Sequence, residues 1–169
     1  MILIFGLGNP GEKYKNTRHN IGTRIIRELE SLNLKNVVLV KPTTFMNESG
    51  KTVKALYAKY KIKDTRYVLV IHDDIDLPLG EIRIVKNRGA GGHKGVESII
   101  KELKTKNFIR FRIGICPKTG KPKNPEKFVL QKFNKEEGKT LKEVIKKTAK
   151  ALEFFLKEGL EKTMNRFNS

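Results

Sequence analysis

Apolar residues are distributed along this chain in two rhythms. Met1 to Phe5, Val37 to Val40 and Tyr67 to Ile71 are short, near-continuous apolar runs, which predict strands buried on both faces. Glu81 to Val85 alternates polar and apolar and predicts a half-exposed strand; Phe108 to Ile115 predicts another. Elsewhere the spacing is helical. Ile21, Ile25, Ile26, Leu29 and Leu32 share one face from about Asn20. Val53, Leu56, Tyr57 and Tyr60 follow a cap at Asn47 or Ser49, and Val96, Ile99, Ile100 and Leu103 follow a glycine cluster. The last stretch predicts one long helix, with Leu141, Val144, Ile145, Thr148, Leu152, Phe155 and Leu156 inward. Its Lys139, Lys142, Lys146 and Lys150 face water. Gly6 to Asn16 and Cys116 to Pro125 read as loops, the second basic and mobile. Strands alternating with helices, without repeat or linker, predict an α/β domain over 1–169, with a mixed, mostly parallel sheet and helices on both faces.

Composition narrows the function. The 169 residues are 38% hydrophobic, enough for a core, and no apolar run approaches the ~20 residues that cross a bilayer. MILIF lacks a basic leader and is too short for a signal peptide. Cys116 stands alone, which excludes a disulfide framework and fits a reducing cytoplasm. The net charge is +18, and residues 82–127 hold 13 Lys plus Arg against 3 acids. Such an excess points to a polyanion, with nucleic acid ahead of an anionic membrane. A Lys-rich solvated surface is the bland explanation, but such surfaces are usually balanced by Glu.

Sites in α/β sheets form at the carboxyl ends of strands. Three such ends carry chemistry here: Gly6-Leu-Gly-Asn-Pro-Gly11, Thr43-Thr-Phe-Met-Asn47 and His72-Asp-Asp-Ile-Asp76. Gly6, Gly8 and Gly11 match a dinucleotide pattern, but no helix opens at the third glycine and no acid ends a second strand, so nicotinamide binding is set aside. His19 opens the first predicted helix. An imidazole becomes a better base when a carboxylate holds its other ring nitrogen. Asp73 and Asp74 point to opposite faces of an extended chain, so only one can be that partner. Asp74 and Asp76 are then metal ligands or turn residues. His72 is expected to be structural, while His93 either reaches the crevice or anchors its loop. None of Ser31, Ser49, Ser98 and Ser169 sits on a nucleophile elbow, and the three histidines lack zinc-helix spacing.

Taken in order, these segments resemble the bacterial-type peptidyl-tRNA hydrolases. The resemblance rests on Gly6-Leu-Gly-Asn-Pro-Gly11 with Tyr14 and Thr17-Arg-His-Asn20, on Lys41-Pro-Thr-Thr-Phe-Met-Asn-Glu-Ser-Gly50, and on His72-Asp-Asp-Ile-Asp-Leu-Pro78. Gly91-Gly-His-Lys-Gly95, Phe111-Arg-Ile-Gly-Ile115 and Phe128-Val-Leu-Gln-Lys-Phe133 extend it through almost the whole chain. It implies hydrolysis of the ester between a peptide and the 3′ end of tRNA by a monomer, with no metal, cofactor or obligate protein partner. His19 would activate water, Asp73 would hold His19, and Asn9 and Asn47 would bind the peptide end and polarise its carbonyl. Tyr14 and Phe45 would line the crevice, with Lys94 beside them. Arg83, Lys86, Arg110, Arg112, Lys118, Lys121 and Lys123 would meet tRNA phosphates. Two departures stand out. Lys94 replaces the Asn usual after the glycine-rich segment's His, and the stretch before Pro42 is short, as if one edge strand were trimmed. A catalytically silent RNA-binding relative using the same cleft is the alternative.

Overall fold

The computed structural model describes residues 1–168; Ser169 lies outside the described residues. Five strands, β1 (Ile2–Gly6), β2 (Val37–Val40), β3 (Val68–Pro78), β4 (Ile82–Lys86) and β5 (Ile109–Cys116), form one sheet in the order β2-β1-β3-β5-β4. All neighbours are parallel except β4, which runs antiparallel to β5. The helices are α1 (Ile21–Glu30), α2 (Ser49–Lys59), α3 (Lys94–Leu103), α4 (Pro125–Val129), α5 (Glu137–Glu158) and α6 (Leu160–Phe167).

Strand periodicity divides the core into two layers. Ile4, Leu69, Ile71, Phe111 and Ile113 pack with α1 and α5, while Leu3, Phe5, Val68 and Val70 pack with α2 and α3. The register sets Gly6 beside Ile71, so β1 ends just where β3 reaches His72 and Asp73. By the same alternation His72 follows Val70 toward α3, and Asp73 follows Ile71 toward α1. Gly22 lets α1 approach this point closely, since a Cβ there would run into the Ile71 carbonyl. That contact brings the turn before α1 onto the middle of β3, at Asp73.

Several expectations need correction. β2 is only half-buried, because it is the edge strand beyond β1. Leu32 lies past the end of α1 and is exposed. Neither Asn47 nor Ser49 caps α2 with its side chain; Ser49 Oγ donates to the Met46 carbonyl instead. The strand expected to end at Ile71 continues to Pro78, because β5 on its outer side supplies backbone partners through Asp74 and again at Pro78. The long C-terminal helix breaks at Gly159, whose φ of 84° starts α6 in a new direction.

Candidate active site

His19 sits in a short 3-10 turn, Arg18–Asn20, whose other side chains are all committed to holding it. Thr17 Oγ1 donates to the Tyr14 carbonyl. The buried Arg18 donates from Nη1 to the Lys132 carbonyl at 2.7 Å and from Nη2 to both Glu137 oxygens at 3.1 and 2.8 Å. Its guanidinium also lies 4.2 Å over the Phe128 ring. Asn20 accepts from Asn9 N–H at 2.8 Å and donates to the Asn9 carbonyl at 2.9 Å, tying the glycine loop to the turn. Only His19 is left to face the opening.

Its partner is the one the alternation of β3 allows. His19 Nδ1 lies 2.9 Å from each Asp73 oxygen, and His93 Nε2 lies 2.8 Å from Asp73 Oδ1. His93 is also the N-cap of α3, where its Nδ1 accepts from Gly95 and Val96 N–H at 3.2 and 3.4 Å. Those bonds fix the tautomer: the proton of neutral His93 is on Nε2 and is donated to Asp73. His19 likewise donates from Nδ1, which leaves its Nε2 lone pair unpartnered among the described residues. Burial by itself would lower the His19 pKa, but the Asp73 charge and hydrogen bond together raise it above 6.5. Burial alone would lift Asp73; His19 and His93 overcome this and hold its carboxyl well below the usual range. His72 donates from Nδ1 to the Asp73 carbonyl at 2.7 Å, and burial, then the neighbouring His93, keep it neutral.

His19, Asp73 and His93 also bring three donor atoms within 4.8 Å of one another. The tautomers argue against a metal there, because His93 Nε2 carries a proton and offers no lone pair. Asp74 and Asp76 serve the turn and its ion pairs. Asp74 Oδ1 accepts from Asp76 N–H at 2.8 Å, Asp74 Oδ2 meets Arg112 at 2.6 Å, and Asp76 pairs with Lys121 at 2.6 Å.

The base opens into a cleft of about 1410 Å³. Asn9 Oδ1 accepts from Met46 N–H at 2.8 Å, so its amide NH₂ is the end left free at the cleft lining. Asn47 and Phe45 are exposed on the same wall; Tyr14, expected to line the crevice, is not part of its lining and instead meets Phe45 edge-on at 6.3 Å. Lys94, the first residue of α3, is exposed at the lining. The opposite wall carries Arg83, Arg88, Arg112, Lys121 and Lys123. Lys118 is exposed on the same loop but outside the lining.

Two expected phosphate contacts are not placed for that role. Lys86 falls on the opposite face of β4 from Arg83, a consequence of strand parity, and does not line the cleft. Arg110 does line the cleft but is only 2% exposed, with Nη2 donating to the Gly89 carbonyl at 2.9 Å. Burial, and then the nearby Arg112 charge, lower its pKa to about 10. Sequence reasoning missed Arg88 altogether and left His93 open.

A carboxylate-held imidazole with a free nitrogen, beside an amide donor in a basic α/β cleft, is the equipment of a hydrolase that acts on a polyanionic substrate. The profile of peptidyl-tRNA hydrolases matches residues 3–169. The peptidyl-tRNA hydrolase of Thermodesulfovibrio yellowstonii is 40% identical over 191 aligned positions, covering 99% of each chain; this exceeds the 169 residues here, so the chain carries deletions relative to it. That of Aquifex aeolicus is 44% identical over 172 positions, covering 89% of this chain and 87% of the other. The crystal structure of the Acinetobacter baumannii peptidyl-tRNA hydrolase superposes with a TM-score of 0.88 at 31% identity, covering 100% of this chain and 95% of that one. The chain belongs to the peptidyl-tRNA hydrolase family. The Escherichia coli endopeptidase HycI, at 15% identity and a TM-score of 0.53, shares the fold alone.

Proposed function

We propose that this chain hydrolyses the ester linking a peptide to the 3′-terminal ribose of tRNA, using a water activated by His19. His19 Nε2 takes a proton from water as the water oxygen attacks the ester carbonyl. The resulting oxyanion is met by the Asn9 amide, with Asn47 and Lys94 as further donors at the same wall. Collapse breaks the bond to the ribose oxygen, which takes the proton back from His19. The new carboxylic acid loses its remaining proton to solvent, a peptide carboxylate and a free tRNA hydroxyl leave, and no metal or cofactor enters the cycle. A positioned base is typically worth 10²–10⁴ in rate, and an aimed oxyanion donor ~3–4 kcal/mol. Arg83, Arg88, Arg112, Lys121, Lys123 and Lys118 grip phosphates, which gives affinity without reading sequence. Phe45, backed by Tyr14, offers a stacking surface for a terminal base or the peptide.

The observation that carries this reading is the His19–Asp73 hydrogen bond at 2.9 Å, with Nε2 left open to the cleft. We read the chain as one catalytic domain over 1–169, a monomer working in the cytoplasm; no helix among the described residues is long and apolar enough to cross a membrane. The test is release of N-acetyl-amino acid from tRNA, with and without chelator, by the intact protein and by His19→Ala. The expected result is chelator-insensitive cleavage that falls on the order of 10²–10⁴-fold in the variant while tRNA binding persists. Structured RNA bound but never cleaved by the intact protein would overturn the reading in favour of a silent RNA holder.

A further inference from the structure

His93 reaches Asp73 on a stretch of chain with little of its own to hold it. Gly89, Gly91 and Gly92 are exposed, and Gly91 and Gly92 have φ of 59° and 82°. The β4–β5 ladder ends at Lys86 and Ile109, before the loop begins. Within the loop, His93 N–H donates to the Ala90 carbonyl at 3.1 Å. Beyond the packing of Ala90 against the core, one side-chain hydrogen bond among the described residues fastens 87–92 to the body of the protein: Arg110 donates to the Gly89 carbonyl at 2.9 Å. Arg110 opposes Val70 on the α3 face of the sheet, one step along from His72, whose ring lies 4.7 Å from that of His93. Arg110 Nε and His72 Nε2, a donor and an acceptor, are both buried without a partner. An expensive buried guanidinium therefore sits under the loop and the two imidazoles, with one of its donors spent on the loop backbone.

We propose that Arg110 is a positioning residue for the hydrolysis: by fixing the Gly89 carbonyl it sets the 89–92 loop, and through it holds His93 on Asp73. The inference rests on the reading above that Asp73 orients the base. Its consequence is mechanical. With the anchor gone, two left-handed glycines loosen the loop, His93 is left with its α3 cap bonds alone, and its hold on Asp73 weakens. Lysine does not replace the anchor, because its ammonium falls one bond short of the Nη2 position.

The test compares Arg110→Gln and Arg110→Lys with the intact protein, checking folding by thermal denaturation. Both variants are expected to lose kcat on the order of tenfold to a hundredfold, the scale of a misplaced catalytic group, with KM for N-acetyl-aminoacyl-tRNA unchanged. The His93 imidazole N–H resonance, followed by NMR without substrate, is expected to broaden in both. On a His93→Ala background, adding Arg110→Gln should cost nothing further. If Arg110→Gln fails to fold, Arg110→Lys decides. Wild-type kcat with a sharp His93 resonance in a folded variant overturns the proposal, as does full additivity with His93→Ala. Because the resonance requires no turnover, its broadening would support the anchor even if the chain proved not to cleave peptidyl-tRNA.

Discussion

Replacing Asp73 by Asn removes a charge and one acceptor while keeping the shape of the side chain. Asp73 now accepts two N–H groups, from His19 Nδ1 and His93 Nε2. An amide has one oxygen for both. His93 has its proton held on Nε2 by the α3 amides at its Nδ1, so it keeps the oxygen. The Asn NH₂ then takes the place of Oδ2, 2.9 Å from His19 Nδ1, and two N–H groups facing each other there drive the His19 proton to Nε2. That is the atom required to take a proton from water, so the base is switched off rather than weakened. The same exchange in the Ser-His-Asp triad costs about 10⁴ in kcat; here, with one neutral donor pair kept, the expectation is about 10³–10⁴, or roughly 4–5.5 kcal/mol. The fold should survive, because an uncharged amide is cheaper to bury than a carboxylate. Single-turnover release of N-acetyl-amino acid from tRNA reads the rate, and filter binding reads tRNA affinity on the same samples. A variant within tenfold of the intact protein, at equal affinity, would refute the tautomer argument.

Further consequences concern stability and binding. Because Asp73 holds the His19 pKa above 6.5, the pair stabilises the folded chain fully below 6.5 and less as pH rises through the raised value. Thermal denaturation from mildly acid to mildly alkaline pH should show that decline in the intact protein and a flatter profile in His19→Ala; equal slopes would contradict it. Arg18→Ala strands the Glu137 carboxylate and frees the His19 turn from α5, with an expected loss of about 3–5 kcal/mol in urea unfolding. A loss under 1 kcal/mol would show that the pair is unimportant. Arg83→Ala with Lys123→Ala should lower the salt dependence of tRNA affinity by roughly 0.7–0.9 in log–log slope for each phosphate no longer neutralised, as read by titration at several KCl concentrations. An unchanged slope would place the RNA elsewhere.

The alternation of β3 showed before any coordinates that only one of Asp73 and Asp74 could hold His19, because neighbouring acids in extended chain face apart, and the family resemblance named Asp73. Asp74 went to Arg112, as that parity requires. The apolar runs and helical stripes likewise marked each layer of the core. What stayed hidden depends on distance and neighbours. The polar half of β3 has no strand signature of its own and is extended because β5 lies beside it. His93 comes to Asp73 through a glycine loop, which carries no periodicity from which direction can be inferred. Arg110 and Arg112 are the same residue type on the same face of one strand and both line the cleft, yet one is buried and bonded to the loop while the other stays partly exposed. Only position along β5 separates them. Lys86 was readable in principle, since its parity differs from that of Arg83 on an alternating strand. Arg18, by sequence merely a basic neighbour of His19, proved to be the buried clamp for its turn.

The most direct test of the central claim is the pH dependence of the single-turnover rate on a saturating N-acetyl-aminoacyl-tRNA. With His19 as the base and Asp73 raising its pKa, the rate should fall tenfold per pH unit on the acid side, with a midpoint above 6.5. A rate that stays level from pH 8 down to 5.5, with the cleavage step still limiting, would contradict it.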